Sequence, residues 1–146
     1  MSDQKNFSKI LLAVDGSEQS MSAADYGISV ANIYHSELIT LHVIPEDVSL
    51  FGPTAPPHLE KLKKEAQEYL DKIIQKAKLN NDSIQMSSKI IASPSVVGGI
   101  INFAESENID LIVMGTKGRS GIKKLLLGSV ASGVVTYAHC PVMIVK

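Results

Sequence analysis

The chain has 146 residues, a length that suits one domain and is short for two. One cysteine excludes an internal disulfide framework, and 14 Lys and Arg against 15 Asp and Glu leave a net charge of −1, which argues against a generic polyanion binder. No apolar run nears the ~18 residues of a membrane span, the opening from Met1 to Lys9 is polar with no signal-peptide core, and three Phe, four Tyr and no Trp give few stacking platforms for single-stranded nucleic acid.

The expectation is a cytoplasmic domain over 1–146, with its ordered core over about 7–146 and with neither nucleic acid nor membrane as partner. Ile10 to Val14 is a continuous apolar run closed by Asp15-Gly16-Ser17, the pattern of a strand buried on both faces. From Ser17 to His35 the spacing of Ala23, Ala24, Gly27, Ile28 and Ala31 is helical, with Ser17 or a neighbour as N-cap. Leu38 to Ile44 reads as a second strand. Pro45 to His58 carries Pro45, Pro53, Pro56 and Pro57 and reads as a loop, either a variable surface turn or a lid.

Leu59 to Leu79 is the clearest helix, with Leu59, Leu62, Ala66, Tyr69 or Leu70, Ile73 and Ala77 on one stripe. Its run of Lys61, Lys63, Lys64, Glu65 and Glu68 reads as a solvated face. A third strand is expected over 84–92 and a helix over 95–107. Gly98-Gly99 inside that helix costs propensity and implies close packing on the sheet. Ile109 to Met114 reads as a fourth strand, 129–139 as a last helix and Val142 to Val145 as a fifth strand. Such alternation predicts an α/β fold, a parallel sheet with helices on both faces.

The chemistry concentrates between Met114 and Ser129. Glycines stand at 115, 118, 121 and 128, and cations at Lys117, Arg119, Lys123 and Lys124. Glycine lets a ligand approach the main chain, and successive free N–H groups make an anion-binding concavity. Ser129 is a good N-cap type at the start of a helix, whose terminus attracts phosphate. Lys117 and Arg119 lie close to the path a triphosphate would take. On the residues alone, a glycine-rich connection with surface lysines stays open as the alternative. The spacing is neither that of a P-loop nor of a dinucleotide fingerprint.

Gly115, Thr116-Lys117, Gly118, the nine residues Arg119 to Leu127, Gly128 and Ser129 together resemble the ATP motif of the universal stress protein family. The stretches Lys9 to Ser17, Leu41-His42-Val43, Asp110 to Gly115 and Cys140 to Val145 resemble that family's strands, so the similarity runs from about Phe7 to Lys146. The resemblance implies a three-layer, flavodoxin-like sheet of the adenine nucleotide alpha hydrolase type, in the order 3-2-1-4-5. Ligands of such sheets bind beyond the strand carboxyl ends where the order reverses, between strands one and four.

By the same resemblance Asp15 contacts the nucleoside, and Val43 beside Ala13 offers main-chain groups to the adenine edge. Met114 lines the base or ribose pocket. Gly115, Gly118, Gly128 and Ser129 hold the phosphates, with the Val130 N–H added. The implied ligand is ATP or another adenine nucleotide, with Mg²⁺ or Mn²⁺, in a stress-response protein with little or no turnover. A slow ATPase or phosphotransferase and an AMP or cyclic-nucleotide module are the alternatives. Relatives pair through the last strand, so a homodimer through 142–145 is expected.

Other residues point nowhere specific. His35, His42, His58, His139 and Cys140 lack metal-ligand spacing. His42 reads as a packed, hydrogen-bonded histidine and Cys140 as a small core residue. Asp15 and Ser129 each have a simpler reading as helix caps. No carboxylate pair offers the base or metal cluster that phosphoryl transfer needs.

Overall fold

The computed structural model describes residues 6–46, 56–116 and 127–146. In chain order its elements are β1 (Lys9–Ala13), α1 (Glu18–Tyr34), β2 (Glu37–Pro45), α2 (Pro56–Asn80), β3 (Gln85–Ser93), α3 (Val96–Ser106), β4 (Leu111–Gly115), α4 (Ser129–Tyr137) and β5 (Val142–Val145). The strands form one sheet in the order β3-β2-β1-β4-β5, every neighbouring pair parallel. This is the flavodoxin-like α/β arrangement that the resemblance implies.

The apolar runs have a plain cause. β1 is central, so both of its faces are covered, and Ile10, Leu11 and Leu12 are 0% exposed. Side chains alternate across it. Ile10 and Leu12 join a core with Ala23, Ala24, Ile28 and Ala31 of α1 and Leu70, Ile73 and Ala77 of α2. Leu11 and Ala13 join a second core with Ile100 and Ala104 of α3 and Ala131 and Val134 of α4. Each buried Leu or Ile contributes about 1.5–3 kcal/mol of transfer free energy, so these two cores carry most of the stability.

Local chemistry sets the element ends. Ser17 caps α1, its hydroxyl accepting from the Ser20 N–H at 3.2 Å. His35 closes it in the left-handed conformation at φ 54. In α3 the hydroxyl of Ser95 accepts from the Gly98 N–H at 3.0 Å. The close packing expected of the glycine pair falls on Gly99, where a Cβ would stand 3.0 Å from Val43 Cγ1 and 3.1 Å from Ser93 Cβ.

Two expectations need correction. The helix expected from Leu59 begins at Pro56, so the end of the proline-rich stretch is the first turn of α2. Proline is acceptable there because first-turn N–H groups have no intrahelical partner. At its other end Pro45 is the last residue of β2, paired with Ser93, and 47–55 lies outside the described residues. Ser129 is not a cap: Gly128 occupies the N-cap position without a side-chain bond, and Ser129 is the first helical residue.

Candidate functional site

β1 and β4 lie side by side, and the chain leaves them in opposite directions across the sheet order. Their carboxyl ends therefore bound the crevice in which sheets of this kind take ligands. After β1 the chain turns through Asp15 and Gly16, and Gly16 has φ 85, a conformation that favours glycine. The Asp15 carboxylate accepts from the Ser17 N–H at 2.9 Å, and the Asp15 N–H donates to Ser20 Oγ at 3.3 Å. Asp15 thus braces the turn, and the cap of α1 is Ser17.

On the β2 side, the Val14 N–H donates to the Leu41 carbonyl at 3.0 Å. Main-chain groups on a strand point to the same side at every second residue. Val43 therefore turns its N–H and C=O the way Leu41 does, past the point where β1 has stopped pairing at Ala13. Ala13, Val43 and Met114 all bury their side chains in the core under α3 and α4. What Ala13 and Val43 have left to offer a ligand is main chain.

On the β4 side, the Thr116 N–H donates to the Val145 carbonyl at 3.0 Å, and the Gly128 N–H donates to the Thr116 carbonyl at 2.7 Å. The second bond pins the start of α4 to the end of β4. The Gly128 carbonyl then accepts from Ser132 at 2.8 Å, the first bond of the helix. The N–H groups of Ser129 and Val130, in the opening turn, have no intrahelical acceptor. With the helix dipole they make a set of donors of the kind that suits an anion. Gly128 spends its own N–H on Thr116, so the donors begin with Ser129. Lys117, Gly118 and Arg119 lie outside the described residues.

Gly115 has a packing role of its own. A Cβ there would stand 3.2 Å from the Gln19 carbonyl oxygen, so the missing side chain lets the first turn of α1 close onto β4. Beside it the Gln19 side-chain oxygen is buried and has no hydrogen-bond partner among the described residues.

His42 is packed and hydrogen-bonded as expected. Its Nδ1 lies 3.1 Å from the Val14 carbonyl and meets the Tyr69 hydroxyl. On the helical stripe Tyr69 and Leu70 compete for one place, and nothing local in the sequence points to a polar role for Tyr69. Cys140 has its thiol pushed above the ordinary value by burial, with the Asp110 carboxylate adding to it, which is the opposite of nucleophile activation. Among the described residues no three His, Cys, Asp or Glu side chains gather as a metal site, and no helix is long and apolar enough to cross a membrane.

The sequence model of the universal stress protein family matches residues 6–146. The chain belongs to the universal stress protein family. Universal stress protein MJ0531 of Methanocaldococcus jannaschii is 37% identical over 145 residues, covering 96% of this chain and 82% of the relative. Among solved structures, UspA of Lactobacillus plantarum superposes with a TM-score of 0.82 at 25% identity, over 98% of this chain and 100% of the other. A universal stress protein in complex with cAMP shares the fold at a TM-score of 0.77 and 19% identity, over 97% of this chain and 99% of the other.

Proposed function

We propose that this universal stress protein binds an adenine nucleotide, ATP in the first instance, and holds it with little or no turnover. One observation carries the reading: the bond from the Gly128 N–H to the Thr116 carbonyl brings a helix N-terminus to the end of a central strand at the sheet's switch point. Gly115, Gly128 and Ser129, three of the four positions that resemble the family's ATP motif, border that junction. A chain of the same fold is described with cAMP bound, which favours an adenine nucleotide as the ligand class.

In this reading Val43 and Ala13 meet the adenine edge through main chain, Asp15 takes the nucleoside, and Met114 walls the pocket. Gly115, Gly118 and Gly128 give the phosphates room, Ser129 and Val130 donate to them, and Lys117 and Arg119 neutralise charge together with Mg²⁺ or Mn²⁺. The absence of a candidate base in the sequence favours a stabilising or switching ligand over a substrate. The protein works in the cytoplasm as a homodimer joined through β5.

The test is a thermal melt with ATP, AMP and cAMP, each with Mg²⁺ or Mn²⁺. A ligand that binds only the native state adds RT ln(1 + [L]/Kd), about 2.7 kcal/mol at 100-fold over Kd. ATP should give the largest rise in Tm. No shift at millimolar concentration of any of the three overturns the proposal.

A further inference from the structure

The peptide unit joining Val14 to Asp15 is gripped at both ends by side chains. Its carbonyl lies 3.1 Å from His42 Nδ1 on β2 and 3.3 Å from the Tyr69 hydroxyl on α2. Its N–H donates to Ser20 Oγ on α1 at 3.3 Å, and the Ser20 hydroxyl donates to the Ser17 carbonyl at 3.0 Å. The two rings stack edge to face, their centroids 5.6 Å apart at 76°.

The His42 Nδ1, the Tyr69 hydroxyl and the Val14 carbonyl all lie in mutual contact. A carbonyl oxygen only accepts, so Nδ1 carries the imidazole proton and the tyrosine hydroxyl donates to the same oxygen. β1 pairs with β2 no further than Ala13 and Leu41. One residue on, side chains take the carbonyl that a continuing ladder would have used. The two strands can then part at this point without leaving a buried acceptor unpaired.

We infer that His42 and Tyr69 are positioning residues for the nucleotide site: by fixing the Val14 carbonyl they set the direction in which Asp15 leaves β1, and they make nucleotide affinity depend on how α2 is seated. The inference rests on the function proposed above. Tyr69 belongs to α2 and lies 55 residues along the chain from Val14. Anything that shifts α2 withdraws a donor from the peptide carrying Asp15, and linkage requires bound nucleotide to hold α2 down in return.

The test is a double-mutant cycle on ATP affinity with Mg²⁺, using Tyr69→Phe and Asp15→Asn, together with amide hydrogen exchange on the ligand-free protein. Tyr69→Phe removes the hydroxyl alone and should raise the Kd roughly threefold to tenfold, the worth of one ordinary hydrogen bond. In the Asp15→Asn background the same change should cost nothing, whereas a merely structural role would give additive effects. His42→Asn, which keeps a donor near the Nδ1 position, should bind close to the parent, and His42→Leu should weaken binding as Tyr69→Phe does.

Exchange at the Asp15 amide should quicken in ligand-free Tyr69→Phe while the β3 amides stay unchanged. A parental Kd in Tyr69→Phe, or additivity in the cycle, overturns the inference and leaves the function standing. If the parent binds no ATP, the function fails and exchange decides the rest: faster exchange confined to Val14–Ser17 supports the brace, and parental exchange there overturns it.

Discussion

The backbone N–H of Gly128 donates to the carbonyl of Thr116 at 2.7 Å. Twelve positions separate the two residues in the chain, yet one peptide group touches the other. A helix that could have begun anywhere after the glycine-rich segment begins at the lip of the sheet. Gly128 itself has φ −64 and ψ 160, values open to any residue, so its backbone does not demand glycine.

Gly128→Val therefore separates fold from ligand. The unliganded variant should stay within about 2 kcal/mol of the parent, since only an N-cap preference changes. The rise in Tm with ATP should vanish. Thermal melts with and without millimolar ATP measure both. A full ATP shift in Gly128→Val would remove this residue from the site.

Two helix glycines should respond in opposite senses to alanine. At Gly133 a Cβ would stand 2.8 Å from Val97 Cγ2 and 3.0 Å from Cγ1, so α3 and α4 would have to separate. Gly133→Ala should destabilise by about 1–3 kcal/mol. At Gly27 the nearest atom, Leu12 Cδ1, is 3.4 Å away, an ordinary contact. Gly27→Ala should stabilise by up to about 1 kcal/mol through helix propensity. Urea unfolding of the two variants tests the contrast.

The β5 edge allows a clean test of dimerisation. The Pro141 and Val145 carbonyls accept from β4 and its following residue, so the main-chain groups of Val142 and Ile144 point the other way, to the open edge. Val142→Pro removes one outward donor and spares the bonds to β4. The parent should be a dimer by light scattering and the variant a monomer. Lysines at Val142 and Ile144 would be a poorer test, because both side chains pack against the core under α3 and α4.

The buried thiol gives a pH dependence. Burial, then the Asp110 carboxylate, raises the Cys140 pKa above that of a free thiol. The native state thus holds this proton more tightly than the unfolded chain. The stability it contributes is complete below the unfolded pKa, about 8.5, and is lost as pH rises through the folded value. Cys140→Ala should flatten the loss of stability above that pH in urea titrations. An unchanged slope would mean the thiol does not contribute.

The order of strands and helices was legible because parallel strands covered on both faces are written as unbroken apolar runs, Ile10 to Val14 and Leu111 to Met114 among them. The edge strand β3 alternates instead, its burial rising at Met86, Ser88 and Ile90, and that too was readable. What escaped depends on distant partners. Nothing near Ser129 says that Gly128 takes the cap and that Thr116 takes the Gly128 N–H. Nothing near Tyr69 says that its hydroxyl reaches the Val14 carbonyl, and the glycine at 115 answers to Gln19 as well as to any phosphate. Local periodicity reports which face is apolar and is silent about where a polar tip will land.

β1 is made first and sits in the middle of the sheet, in register with Leu38 and its neighbours on one side and with Leu111 and its neighbours on the other. On the ribosome, β1 can acquire β2 as a neighbour early. Its second edge has no partner until Leu111–Gly115 has been synthesised. For most of translation a nascent chain of this fold therefore carries an unpaired apolar strand edge, the feature that recruits chaperones and invites misassembly. A protein whose family name concerns stress thus has its own most vulnerable moment before its fourth described strand exists.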